Sequence, residues 1–535
     1  MHKGYDGPTR RLVSQEDASM IARPDIPRSK FSGSFSWKGT FDAGYLIPFH
    51  IEEVYPGDHF KYQFTPFVRT STPLFPIMDS QRIDVHCFFV PFRILWTNWV
   101  RLMGQQDSPG DTIAYSVPQI LSTGNGFAVN SVGDYMGFPT VGQPTAQISV
   151  SMLPFNAYNA IYNAWYRDEN LVNAASVSTT DTNKAEVNYP LRRRAKSHDY
   201  FTSALPWPQK FVAPIMNSPV VGLGVANPGA APTAGPFSVR ETASFSTPTG
   251  IRNYGAVYES AVVPYLMDAD PASTLPLVFS QTDINVFRQA MQVQVFLERM
   301  ARGGTRYTEI TENIFGVRNP DARLQRPEYI GGGSTPLQFT PIAQTAPTTS
   351  GSQLGLGALG AAGTAVGNNS ASYAATEHGV IVCIMSVKSE LSYSQGVHKS
   401  WDRKTLYDFY NPAFAGLGEQ AIRRREIFAT GASANDDVVF GYQERWHELR
   451  THYSRVTGRF RPTAASNIDE WHLSQLFSPA PTLGQTFIED TPPMDRVFAA
   501  GGAAAGQQYL ADVHIRVEMV RPLPMYGTPV GLGRF

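Results

Sequence analysis

Residues 41–65, FDAGYLIPFHIEEVYPGDHFKYQFT, decide the fold class. Tyr45, Ile47, Phe49 and Ile51 alternate with less apolar positions. After a turn, Phe60, Tyr62 and Phe64 alternate with Lys61, Gln63 and Thr65. A period of two puts every second side chain on one face, which is the pattern of a half-buried strand. Pro56-Gly57-Asp58 joins the two runs by a turn, because Pro fixes φ and Gly frees it. Further along, Ile83, Val85, Cys87 and Phe89 begin with the same alternation, and residues 380–387 are apolar on both faces, as in a central strand. Near the end, Val513, Ile515, Val517 and Met519 alternate with Asp512, His514, Arg516 and Glu518. Strands bracket the chain, which predicts a single β-domain over residues 41–535 with long insertions.

Three stretches switch to helical spacing. Ile94, Trp96 and Trp99 start a short one, and Tyr158, Ile161, Tyr162 and Trp165 form an aromatic stripe. Ile284, Phe287, Met291 and Val295 line a helix over 283–301, with Thr282 or Asp283 as N-cap and Gly303-Gly304 as the stop. Each stripe reads as core packing. Residues 1–40 are polar, with prolines and scattered arginines, and read as an extended N-terminal arm. Residues 215–260 and 340–376 are rich in Gly, Ala, Ser, Thr and Pro, with little charge and no period, and read as long surface loops.

Forty-four basic residues against 45 acidic ones leave no global field to select nucleic acid or membrane, so such a role must rest on local patches. Charged residues make up 17%, well under the roughly 25% of an average globular protein. So much weakly polar surface fits extensive burial against partners, although a loop-rich β-enzyme fits as well. Cys87 and Cys383 are the only cysteines, too few for a disulfide framework or a four-cysteine zinc site. The first residues lack the apolar run of a signal peptide, and no run has the ~18 apolar residues of a membrane span. These features together point to a reducing cytoplasm, or to something released from one.

Motifs of catalysis fail on context. Gly355, Gly357 and Gly360 have dinucleotide-loop spacing, but no strand precedes them and no helix follows. His447-Glu448 and His452 resemble a zinc-protease helix, yet the histidines stand five apart instead of four and diverge. Gly331-Gly332-Gly333-Ser334-Thr335 lacks the lysine of a phosphate loop. Neither catalytic residues, nor cofactor, nor metal ligands are assigned.

Three basic clusters remain as candidates for nucleic acid or for a subunit interface. They are Arg192, Arg193 and Arg194; Arg423, Arg424 and Arg425; and Arg455, Arg459 and Arg461. The last lies in a stretch where Arg445 and Arg450 also alternate with Trp446, Tyr453 and Phe460. Arginine interleaved with aromatics suits single-stranded nucleic acid, where phosphates pair and bases stack. Salt bridging between subunits would use the same residues.

Long strings along the chain resemble one family in its own order. FDAGYLIPFHIEEVYPGDHF (41–60), TPLFPIMDSQRIDVHCFFVPFR (72–93) and LRRRAKSHDYFTSALPWPQK (191–210) come first. LERMARGGTRYTEI (297–310) and FGVRNPDARLQRPEYIGGGSTP (315–336) follow. YDFYNPAFAGLGEQAI (407–422), VFGYQERW (439–446), DEWHLSQLFS (469–478) and TPPMDRV (491–497) complete the set. They are similar to the major capsid proteins of microviruses (Microviridae), gokushovirus type. The resemblance implies a mostly β fold, an eight-stranded viral jelly roll formed as a two-sheet antiparallel barrel or sandwich with large loop and helical insertions. It implies that sixty copies close a T=1 icosahedral shell around circular single-stranded DNA, with assembly in the host cytoplasm before the virion is released. Residues 215–260, just after the LPWPQK string, stand where the family has an insertion that rises as a threefold protrusion toward a host receptor, although their sequence departs from the family's. The near-neutral charge adds a small basic DNA-binding protein and a scaffold protein as expected partners. A β-sandwich carbohydrate-active enzyme or lectin, or a trimeric phage spike, would fit the β pattern without the resemblance.

Overall fold

In the computed structural model, which describes residues 28–211, 284–302, 325–343, 359–498 and 506–526, the chain begins with four successive strands, of which the second and third carry the opening alternation. They are β1 (Ser29–Phe41), β2 (Ile47–Val54), β3 (His59–Thr70) and β4 (Gln81–Pro91). The Pro-Gly-Asp turn separates β2 from β3, and Asp58 Oδ2 accepts the N–H of Tyr55 across it at 2.9 Å. After β4 come α1 (Phe92–Leu95), α2 (Trp99–Leu102), β5 (Gln119–Leu121), α3 (Val132–Tyr135), β6 (Ser149–Ser151), α4 (Leu153–Ile161) and β7 (Lys184–Ala185). Helix α5 (Ile284–Arg302) follows. The rest of the chain returns to β8 (Glu328–Ala343), β9 (Leu359–Val366), β10 (Asn369–Ala374), β11 (Gly379–Ser389), β12 (Glu419–Arg423), β13 (Val439–Glu444) and β14 (Tyr509–Arg521).

The main sheet runs β1-β14-β3-β10-β8-β4-β11-β2, with β9 beside β3 and β8, and its pairs are antiparallel. Strands β1 and β2 stand at opposite ends of that order, yet their side chains meet. Phe35 lies 5.5 Å from His50, and Trp37 lies 5.9 Å from Phe49, ring to ring. The sheet therefore curls round on itself, as a right-twisted sheet must when it buries one face. Inside the curl, Phe60, Tyr62 and Phe64 stack in a ladder and Phe49 packs edge-on against Phe64 at 5.6 Å. Residues of β11 are buried along almost its whole length between β4 and β2, as the two-faced apolar pattern predicts. A second core on the other face gathers Tyr158 and Ile161 of α4 and the following Tyr162 with Phe88, Val90 and Val382, whereas Trp165 at the end of the same stripe is exposed.

The chain divides into two units, residues 1–208 with 303–535, and residues 209–302. Among the described residues, every strand belongs to the first unit. The expected protrusion, 215–260, lies outside the described residues. In α5 the stripe Phe287, Met291 and Val295 is exposed rather than packed in a core.

Two loop expectations are corrected. Within the expected arm over 1–40, residues 29–40 are sheet. β1 pairs with β14 from Ser29 opposite Arg521 to Phe41 opposite Tyr509. Its lysines and Ser32, Ser34 and Ser36 are exposed on an edge strand, and Gly33 and Gly39 take two places on the face of Phe35, Trp37 and Phe41, which weakens the period. The expected loop over 340–376 contains the end of β8, all of β9 and all of β10. Here alanine and glycine are the inward residues. Ala361, Ala365 and Ala371 are buried, and a side chain at Gly363 would meet Phe339 and Thr70. Small residues are what the packed space admits, and they carry no hydrophobic alternation.

Cys87 and Cys383 lie opposite each other on β4 and β11 and form a disulfide. Two cysteines are too few for a disulfide framework, and the single bond they form is one the sequence does not announce. The bond links residues 296 apart in sequence. Reducing agent should lower the denaturation midpoint of purified protein by the equivalent of about 2–4 kcal/mol. An unchanged midpoint under reduction would show that the two sulfurs contribute only as buried apolar groups.

Candidate functional site

The first basic cluster turns out to be an internal strap. Residues 192–196 run extended between two loops. Leu46 N–H donates to Arg192 O at 2.9 Å and Arg194 N–H to Gly44 O at 2.8 Å. On the other side, Lys196 N–H donates to Ile488 O and Asp490 N–H to Arg194 O, both at 2.9 Å. Helix α4 fixes the strap from a third direction, since the Tyr158 hydroxyl accepts Arg192 N–H at 3.0 Å and donates to Leu46 O at 2.9 Å.

The strap's cations are used within the subunit. Arg194 is buried, and its Nη1 donates to Asp84 Oδ2 and to Ser386 Oγ, each at 2.8 Å. Burial works against the Asp84 charge, but the Ser334 hydroxyl and the Arg194 guanidinium outweigh it and hold this carboxyl below its ordinary value. Burial pushes Asp490 up to about 6, opposed by Arg194, Lys196 and Lys388. Lys196 is pulled down to about 8 by burial, against the attraction of Asp490 and Asp199. Arg193 lies 3.9 Å over the Tyr45 ring and donates to Asp490 O at 3.1 Å, while Arg192 stands 5.5 Å over Tyr162. Of the three candidates for nucleic acid or an interface, Arg192 and Arg193 stay half-exposed, while Arg194 is a core residue. Its partners Asp84 and Ser386 are far away in sequence, so no local signal announces them.

Arg423, Arg424 and Arg425 sit at the end of β12, on a short turn. Arg423 pairs with Asp437 at 3.0 Å and Arg425 with Asp402 at 2.7 Å. The Arg423 backbone N–H donates to the buried Glu426 carboxylate, which also takes the Lys399 ammonium at 3.0 Å. Two of the three charges are therefore neutralised in place.

The third cluster is split. Trp446 is buried, with Arg445 4.8 Å over its ring, and Tyr453 packs 4.9 Å from Phe201. Phe460 meets His472 edge-on at 5.4 Å. These aromatics pack against other side chains of the subunit, with Tyr453 and Phe460 half-exposed. Glu448 of the protease-like motif is buried between Arg403 at 2.9 Å and Gln420 at 2.7 Å. No group of three or more His, Cys, Asp or Glu suited to a metal occurs among the described residues. Arg461 donates to Ser394 O at 2.9 Å. Arg455 and Arg459 are exposed, and neither forms an ion pair among the described residues. Among the described residues, then, this stretch presents exposed positive charge at two positions.

One feature escapes the reading of the sequence. Residues 399–417 form a series of short turns that carry large apolar side chains in water, Trp401 and Leu406 foremost. The aromatic run Tyr407, Phe409, Tyr410 and Phe414 around Asn411-Pro412 has neither helical nor strand period, and that lack of period is the available signal.

No helix among the described residues is long and apolar enough to cross a membrane. A family described as capsid protein (F protein) matches residues 19–531. Capsid protein VP1 of Bdellovibrio phage phiMH2K is 39% identical over 538 residues, covering 98% of this chain and 99% of that protein. Capsid protein VP1 of Chlamydia phage 1 is 34% identical over 613 residues and covers 100% of both. Capsid protein VP1 of Spiroplasma virus 4 is 32% identical over 547 residues, with 97% and 98% covered. With the match running nearly end to end in the family and in all three relatives, the chain belongs to the phage capsid protein (F protein) family of the Microviridae.

Proposed function

We propose that sixty copies of this structural capsid protein close a T=1 shell around circular single-stranded DNA. The observation that supports this most is the full-length match, since relatives named as capsid proteins align over 97% or more of the chain. The β frame is read as an eight-stranded jelly roll. Eight strands lie along the main hydrogen-bonded path, and its two ends meet through Trp37 and Phe49. Such closure leaves few free edges, which suits a subunit that must pair only where intended. Residues 215–260 are assigned to a threefold protrusion that meets a host receptor. A scaffold protein and a small basic protein complete the set of partners, in the host cytoplasm during assembly. Electron microscopy of purified particles tests the shell directly. Closed uniform shells are expected; monomers would favour a carbohydrate-binding sandwich, and isolated trimers a spike.

Within that shell Arg455 and Arg459 are placed on the inner wall, against phosphates. Replacing both by Gln should leave subunit and shell intact and make DNA retention more sensitive to salt. The slope of log affinity against log salt should fall by about 0.7 for each phosphate that is no longer neutralised. Full particles with unaltered salt tolerance would take the DNA role away from these two residues.

A further inference from the structure

We infer that the turns over residues 399–417 are a contact between copies of this chain, with Trp401, Leu406 and Tyr407 at its centre. These three are 78%, 81% and 68% exposed, and Phe409, Tyr410 and Leu417 beside them are about half exposed. A soluble protein seldom leaves so much contiguous apolar surface in water unless something covers it.

The turns are held in shape before any partner arrives. The Asp408 carboxylate accepts N–H of Lys404 at 3.0 Å, N–H of Thr405 at 2.7 Å and the Thr405 hydroxyl at 2.8 Å. Asn411 Oδ1 accepts Ala413 N–H at 3.0 Å. From beneath, the Trp446 indole N–H donates to Phe414 O at 3.2 Å and Arg445 to Tyr407 O at 3.3 Å, while Tyr410 packs edge-on against Trp446. A backbone fixed this way gives up little conformational freedom on docking, so the apolar area counts toward binding. Exposed Trp and Tyr on a rigid base are the residue types that dominate association energy.

The occupant follows from charge and from the family. Nucleic acid would need several free cations beside these rings, but the one exposed lysine of the turns, Lys404, is matched by Asp408 four residues on, and four nearby arginines are engaged. Arg403 pairs with Glu448, Arg450 with Glu444, Arg423 with Asp437 and Arg425 with Asp402. What remains is an apolar surface with little net charge, which fits the buried centre of a protein interface. A capsid subunit is surrounded by copies of itself, and a second copy is the partner always present. The inference rests on the shell reading for that step.

The test uses the full chain expressed with its assembly partners. A photo-crosslinking amino acid in place of Trp401 should yield covalent dimers of the chain in assembled material. Leu406→Glu with Tyr407→Glu should reduce assembled particles at least tenfold, while the unassembled subunit keeps its solubility and melting temperature. Dimers recovered from particles that are not icosahedral would uphold the contact and refute the T=1 shell. Crosslinks to DNA, or shells of normal yield that fail only to attach to host cells, would overturn the contact and leave the shell standing. If the double variant melts early, the crosslink on the otherwise native chain decides.

Discussion

Replacing Arg194 by Gln should cost the subunit about 3–5 kcal/mol of stability, enough to lose most of the folded protein before any DNA is packaged. The guanidinium and the Asp84 carboxylate are both nearly sealed from water, with side-chain exposures of 10% and 9%. Removing one partner leaves the other charge in a low-dielectric interior, where an unpaired ion is far more costly than a missing pair. Removing both should therefore hurt less: Asp84→Asn with Arg194→Gln should recover part of the loss, measured as a coupling energy in a double-mutant cycle. The sign of the pH dependence follows from Asp84, whose carboxyl is held below its ordinary value. The pair's contribution is full above the ordinary carboxylate pKa of about 4 and is lost as pH falls through the lower folded value. The deficit of the single variant should thus be largest at neutral pH and shrink in acid. A variant that melts like the parent and merely packages less DNA would return Arg194 to the genome-facing patch that its sequence suggests.

The Arg194 case shows what one-dimensional reading can and cannot see here. Phe49, Phe60 and Phe64 announce their strands because large apolar residues alternate with polar ones, and the structure puts them in the curled sheet. Strands β9 and β10 read as loop in the sequence because Ala361, Ala365 and Ala371 do the inward packing, and alanine leaves no hydrophobic period. The arginine triplet looks like a nucleic-acid patch because charge is local in sequence. Its neutralising partners, Asp84 and Ser386, come from β4 and β11. Membership of the capsid family makes the chain a structural protein and not an enzyme, in line with the failed motif contexts. The aromatic turns over 399–417 belong to no regular element, so periodicity could not mark them even though the residues themselves are conspicuous.

Gly332→Ala should be the most damaging single methyl group in the frame, at roughly 2–6 kcal/mol, from ~1–3 for backbone strain and ~1–3 for overpacking. Gly332 lies in β8 with φ near 150°, a conformation that side chains rarely adopt. It faces His86 of β4 on one side and Ser370 of β10 on the other. A Cβ there would come 2.0 Å from the Val85 carbonyl oxygen, and that oxygen belongs to the backbone of β4. To make room, β8 and β4 would have to part, and their hydrogen bonds near His86 with them. Gly333→Ala is the matched comparison. Its Cβ would meet the Asn369 side-chain oxygen at 2.1 Å, a group that can swing aside, and its φ is not in the positive region. Chemical denaturation of the two variants should therefore separate them clearly, with Gly332→Ala giving little soluble subunit and Gly333→Ala giving a modest shift. Equal midpoints would mean that the close approach of β8 to β4 is not what the three glycines serve.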